Sequence, residues 1–269
     1  MSDIMKNLIF IIAFLFLADI SNAQDEAKAA QNPLANVISV PLQNNTSFGY
    51  GDYDKIGNTL NIQPILPANI GNRDWIMINR FIVPLPKTVP DLTSEDGKST
   101  TGLGDMNYTL WFAPPPFGNL TFGFGAVTIW PTGSKDELTT DKFSAGPSVV
   151  LVYMVEKYML AAVISQWWSI RGDPDADYIS SFYFQPIFTY FLKKKWYATT
   201  GPIITADWTA PEGQKWFVPI GGGGGKMFSF GKVPMDFQMQ AFYYVVKPDG
   251  GPDWEWRVQL KFIFPKGKK

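Results

Sequence analysis

The segment from Trp254 to Phe264 alternates without a break. Trp254, Trp256, Val258, Leu260, Phe262 and Phe264 fall on one face, and Glu255, Arg257, Gln259 and Lys261 on the other. Successive side chains of a strand point to opposite faces, so one face of this strand is apolar and the other charged or polar. Aromatic residues at both ends of the apolar face favour lipid outside and water inside. Period-two stretches bounded by turn residues predict strands at 37–49, 57–66, 73–84, 101–113, 119–131, 142–154, 158–170, 177–192, 196–208, 214–228, 234–246 and 254–264. These are about twelve strands, an even number as bacterial outer-membrane barrels require. The predicted fold is all-β, an antiparallel transmembrane β-barrel over 37–264.

The connections between these strands test the reading independently. Short ones at 67–72, 114–118, 155–157, 193–195 and 229–233 alternate with long or acidic ones at 85–100, 131–141, 171–176, 209–213 and 247–253. Outer-membrane barrels place short turns in the periplasm and long loops outside, which puts both ends of a twelve-stranded chain in the periplasm. Pro64, Pro147, Pro186, Pro202 and Pro219 lie inside predicted strands. Each removes a ladder hydrogen bond, so bulges or bends are expected there. Five glycines at 221–225 predict either a kinked wall or, less favoured, a thin patch approached closely by a lumen segment or ligand.

The first residues read as an export signal. Leu8–Leu17 is an apolar run preceded by Lys6, and Ser21-Asn22-Ala23 supplies a small-x-small cleavage site. The run is too short for a helical membrane span, which needs roughly 20 residues. Residues 1–23 are therefore expected to be a signal peptide, with Met5 an alternative start. Residues 24–36 are expected to be a periplasmic or lumen segment, and 265–269 a basic tail. The chain has no cysteine, so sheet closure and burial must hold it together despite export. Aromatic residues make up 16% of the chain, with 10 Trp, 11 Tyr and 21 Phe, as the girdles of a membrane barrel demand. The formal net charge of −1 offers no basic surface for nucleic acid. Histidine is absent, which excludes Ser-His and Cys-His catalysis and any His-ligated metal.

Candidate lumen-lining residues follow from the polar faces. They are Asp236, Gln238 and Gln240 on the eleventh strand and Glu255, Arg257, Gln259 and Lys261 on the twelfth, with Asp105, Asn107 and Thr109 on the fourth. Opposite charges in a narrow lumen set permeant selectivity, or they pair with one another and only satisfy the interior. Asp173-Pro174-Asp175-Ala176-Asp177 reads as an acidic turn, because an EF-hand's twelfth-position glutamate is replaced by Phe184. Lys193-Lys194-Lys195 reads as a solvated run in a periplasmic turn. Gly102-Leu103-Gly104-Asp105 lacks the Lys-Ser/Thr of a phosphate loop. No catalytic, metal or cofactor site emerges.

Several longer phrases resemble one family. They include Gln31-Asn32-Pro33-Leu34-Ala35-Asn36, Ser39-Val40-Pro41-Leu42-Gln43-Asn44-Asn45, Leu60-Asn61-Ile62-Gln63-Pro64 and Ser144-Ala145-Gly146-Pro147-Ser148. Gln166-Trp167-Trp168, Pro202-Ile203-Ile204-Thr205-Ala206-Asp207-Trp208 and Lys247-Pro248-Asp249-Gly250-Gly251-Pro252-Asp253-Trp254 continue the series. In this order they resemble the bacterial outer-membrane proteins grouped under the meta-pathway of phenol degradation, across nearly the whole mature chain. The resemblance implies an outer-membrane transporter barrel and brings no catalytic residue with it. Phe264 is followed by Pro265-Lys266-Gly267-Lys268-Lys269, whereas many barrels end on the aromatic residue that the insertion machinery reads. The expected function is passive passage of small molecules, including hydrophobic or aromatic ones. The expected partners are outer-membrane lipid, the barrel-insertion machinery and a small-molecule permeant. A non-transporting surface-binding barrel and a soluble secreted ligand-binding barrel remain the alternatives.

Overall fold

The computed structural model describes residues 26–264 apart from 72, 73, 94, 96 and 232. The expected signal peptide and the basic tail lie outside the described residues. The strand segments are β1 (Ile38–Tyr50), β2 (Lys55–Ile62), β3 (Ile65–Asn69), β4 (Ile76–Val89), β5 (Thr100–Gly102), β6 (Met106–Ala113), β7 (Leu120–Trp130) and β8 (Lys142–Met154). They continue with β9 (Tyr158–Gly172), β10 (Ser180–Phe191), β11 (Trp196–Thr200), β12 (Ile204–Asp207), β13 (Trp216–Phe230), β14 (Val233–Val246) and β15 (Trp254–Phe264). The pairs β2/β3, β5/β6 and β11/β12 are each one wall strand interrupted briefly, which leaves twelve wall strands among the described residues. Every pairing is antiparallel, and β1 closes the sheet on β15 from Ile38↔Phe264 to Phe48↔Trp254. Closure leaves no edge in the hydrocarbon, where an unpaired backbone group has no water to bond.

The apolar face of the alternation points outward. Trp254, Trp256 and Phe264 are exposed while Glu255, Arg257 and Gln259 are buried. Aromatic contacts gather at both ends of the wall. Trp208–Trp216 (5.3 Å), Tyr243–Trp254 (4.8 Å) and Trp130–Phe143 (5.0 Å) lie at the long-loop end, and Trp75–Phe124 (6.2 Å) and Tyr158–Phe188 (6.4 Å) at the short-turn end. Two belts flanking an apolar band are what the two membrane interfaces select. Met239, opposite Val258 near the middle of β14, faces outward between them. Met239→Arg is therefore expected to cost about 2–4 kcal/mol and Trp254→Arg, at the belt, about 0–1, measured by denaturant unfolding in liposomes. Equal costs would mean that this wall does not face a bilayer.

The prolines interrupt the wall where expected. Pro64 sits in the break between β2 and β3, Pro202 in that between β11 and β12, and Pro219 at a register shift in the β13–β14 ladder. At Pro147 the β8–β9 ladder lapses between Ala145 and Ser148, and Pro186 lies on β10 facing the 201–203 break. The third wall strand is longer than predicted. Pro84-Leu85-Pro86 resembles a loop in sequence, yet Lys87 and Thr88 pair with β2 on one side and β5 on the other. A register shift between Thr59 and Asn61 absorbs the prolines, so the outer loop is 90–99 rather than 85–100. In that loop the Thr93 hydroxyl and amide donate to Asp91 and hold its carboxyl below the usual carboxylate range.

Candidate functional site: the barrel lumen

The lumen is layered. At the short-turn end the chain before β1 turns inward as a helical turn over 26–31. Pro33 cannot continue the helix, and Asn32 Oδ1 accepts the Leu34 amide (2.8 Å) to fix the exit. Ala27, Ala30 and Leu34 recur at helix-like spacing and are buried against Ile78, Trp111, Val150, Val152 and Met159 of the wall. Gly123 makes room: a Cβ there would lie 3.1 Å from Leu34 Cδ2. Polar contacts complete the attachment. Lys195 Nζ meets Glu26 (2.8 Å), Gln31 Nε2 donates to Asp236 (3.0 Å), and Lys261 Nζ donates to the Ala30 carbonyl (2.6 Å). Lys195 is thus an anchor for this segment rather than part of a merely solvated run.

Asp236 is fully buried and also accepts the Tyr197 hydroxyl, which lies 2.9 Å from both carboxylate oxygens. Tyr197 fits because its partner across the ladder is Gly225, and a Cβ on Gly225 would overlap the phenol. One glycine of the 221–225 run is therefore needed by a wall side chain, not by a lumen segment. On the outer surface the same run floors an apolar groove of about 760 Å³ flanked by Trp196, Phe228, Phe237 and Trp256.

Above the segment lies a chamber of about 140 Å³. Gln238, Gln240, Arg257, Gln259 and Lys261 line it, joined by Gln43, Gln63, Arg80 and Gln185 from other strands. A second cavity of about 310 Å³ opens toward the long loops and is lined by Asn45, Ser47, Tyr50, Lys87, Tyr244 and Glu255. Two contacts bridge the level between them: Gln43 Nε2 to Asn45 Oδ1 (3.0 Å) and Arg257 Nη2 to Glu255 Oε1 (2.8 Å). Arg257 also donates through Nη1 to the Gly201 carbonyl (2.7 Å), stacks 4.7 Å from the Phe242 ring, and leaves Nε without a partner. The Gly201-Pro202 interruption frees that carbonyl from the ladder, and Gln185 Nε2 reaches it as well (3.3 Å). Tyr244 donates to the other Glu255 oxygen (3.0 Å).

The structure thus gathers Gln238, Gln240, Arg257, Gln259 and Lys261 at one chamber and sets Asp236 beneath it and Glu255 above it. The β6 row behaves differently. Asp105 precedes β6 and accepts the Gly133 amide (3.1 Å), the Thr140 amide (2.7 Å) and the Thr140 hydroxyl (2.8 Å), tying down the 131–141 loop. Thr109 donates to Asn107 (3.0 Å), and the row runs on into buried Trp111, whose indole donates to Ser148 (2.9 Å). Asp173 accepts the Asp175 amide (2.9 Å), which makes the acidic stretch a closed turn. Arg80, Tyr197, Phe242 and the Gly201 carbonyl were not anticipated. Arg80 shares its face with Ile78, so the alternation there reads as apolar, and a freed carbonyl has no side-chain signature.

A closed antiparallel barrel with an apolar belt outside and polar side chains within is an outer-membrane β-barrel, and the outer membrane is its place. No family model matches the chain, and no curated protein sequence matches it. Solved structures do match. A COG4313 outer membrane channel from Pseudomonas putida F1 superposes with TM-score 0.65 at 15% identity, covering 85% of this chain and 94% of that one. The NanC porin gives TM-score 0.53 at 10% identity, covering 85% and 100%. At such identities the likeness is one of fold. The family resemblance read from the sequence phrases is therefore matched only in fold, that of an outer-membrane β-barrel.

Proposed function

We propose that this protein is a passive outer-membrane channel for small molecules, closed at rest on its periplasmic side by residues 26–36. The observation that carries the reading is the form of that closure. The segment is docked by a handful of polar contacts, Asn36 to Asn69 (3.1 Å) among them, and a few apolar side chains, while the wall closes through the β1–β15 ladder outside it. A plug held this way is detachable without unfolding the wall. A lumen mixing amides, cations and apolar walls suits small amphipathic or aromatic solutes better than ions alone. On this reading the protein is not an enzyme. Its partners on this reading are the surrounding lipid, the barrel-insertion machinery and the permeant.

The Arg257 hydrogen bond to the Gly201 carbonyl, which ties β15 to the break between β11 and β12 inside the lumen, favours one rival, a non-transporting structural barrel. Planar-bilayer recording separates the two, together with liposome flux of a small aromatic solute such as phenol. Discrete conductance steps and solute flux above protein-free liposomes are expected. Silence from the full barrel and from a variant lacking residues 26–36 would leave the structural barrel as the answer.

A further inference from the structure

We infer that the 140 Å³ chamber is a binding site for a small monocarboxylate with a ring-sized apolar body. This rests on the channel reading and names the solute class the lumen selects.

The first argument is charge. Among the described residues the chamber wall carries Arg80, Arg257 and Lys261 and no carboxylate. The two nearest carboxylates are already engaged outside it. Glu255 is held by Arg257 Nη2 and the Tyr244 hydroxyl, and Asp236 by the Tyr197 hydroxyl and Gln31, with Lys261 in electrostatic reach. Three cations against two carboxylates leave one positive charge over. It falls on Arg80, whose guanidinium reaches the neutral Gln63 Oε1 (3.1 Å) and the Tyr183 side chain and which forms no ion pair among the described residues. Arg80 is also in electrostatic reach of Lys261 and, with Arg257, of Tyr183, so the cationic groups converge on one region rather than spreading around the wall. Like charges so placed repel, and one anion between them removes that cost.

The second argument is hydrogen bonding. Among the described residues the Arg80 guanidinium reaches only neutral partners, Gln63 Oε1 (3.1 Å) and the Tyr183 side chain, so its donors at the chamber wall are free to exchange a neutral acceptor for a charged one. Planar guanidinium groups match the two oxygens of a carboxylate.

The third argument is size and polarity. The same wall also carries apolar side chains: Ile65 pairs across the ladder with Arg80, Trp111 lies two residues beyond Arg80's partner on the neighbouring strand, and Val163 and Ile187 come from β9 and β10. A cavity of about 150 Å³ is enough for benzene, so this chamber takes one ring or an equivalent short chain. An inorganic anion would leave the apolar wall wet, and a neutral ring would leave the surplus charge unmet.

The test is calorimetric titration of the purified full barrel in detergent with benzoate and with the neutral isostere benzamide. Saturable benzoate binding, at least about tenfold tighter than benzamide, is expected, because the difference is a set of charge-assisted hydrogen bonds. Arg80→Gln should bring benzoate down to the benzamide level while Arg80→Lys retains most of the preference. Gln240→Glu, which places a carboxylate in the chamber, should abolish benzoate binding, and a heat-shifted gel band confirms folding in each case. Equal affinity for the two ligands, absence of benzoate binding, or indifference to Arg80→Gln would each overturn the assignment. Conductance of the same preparation is read separately, so a conducting barrel that ignores benzoate refutes the site and spares the channel.

Discussion

Removing residues 26–36 is expected to raise single-channel conductance at least about threefold, since a helical plug roughly 10 Å across leaves the neck of an intermediate-sized barrel. The wall should survive. All twelve strands and the β1–β15 seam lie outside the deleted stretch. Asp236 loses Gln31 but keeps the Tyr197 hydroxyl, and Lys261 remains close to it. Two point variants probe the same closure without shortening the chain. Leu34 is 4% exposed in a pocket shaped by Gly123, so Leu34→Asp puts an unpaired charge among apolar side chains and disfavours docking by several kcal/mol. Gly123→Leu fills the pocket from the wall side. Both should give long high-conductance openings where the parent shows brief ones. Unchanged traces from all three variants would mean that the segment does not close the path.

The wall was legible because it obeys one rule. Lipid outside and water inside impose alternation on β14 and β15, and these strands fall where the period-two pattern puts them. The rule weakens where the inside is not water. In β8 and β9 both faces are apolar, since Val150, Val152 and Met159 point at the plug rather than at solvent. Polar side chains also appear on the outer face. Asn44, Thr46 and Asn58 hydrogen-bond one another there at 2.8–3.1 Å, which reduces the cost of leaving them outside.

The site was half legible. Polar positions on β14 and β15 named most of one chamber wall, because each strand carries its lumen row openly. What periodicity along single strands misses is convergence between distant ones. Arg80 meets the β15 row only through barrel closure, and Gly201 contributes a carbonyl that exists as an acceptor only because Pro202 breaks the ladder. Asp105 shows the opposite failure. Its sequence environment matched a lumen charge, but three donors from the 131–141 loop consume its carboxylate.

The charge pair between the two cavities supplies the second large effect. If ions pass this level, Glu255→Gln leaves Arg257 uncompensated and shifts the reversal potential in a KCl gradient toward anion selectivity. Arg257→Gln should shift it the opposite way. Stability should separate the two as well. Arg257→Gln abandons a buried carboxylate to the Tyr244 hydroxyl alone, and a broken buried pair typically costs about 3–5 kcal/mol, read as a lower guanidinium midpoint in liposomes. Glu255→Gln costs less, because Arg257 keeps the Gly201 carbonyl and the Phe242 ring. The double variant restores neutrality, so its selectivity should return close to that of the parent and its stability loss should fall short of the sum of the singles. Shifts of the same sign in both singles would place the ion path elsewhere than between Arg257 and Glu255.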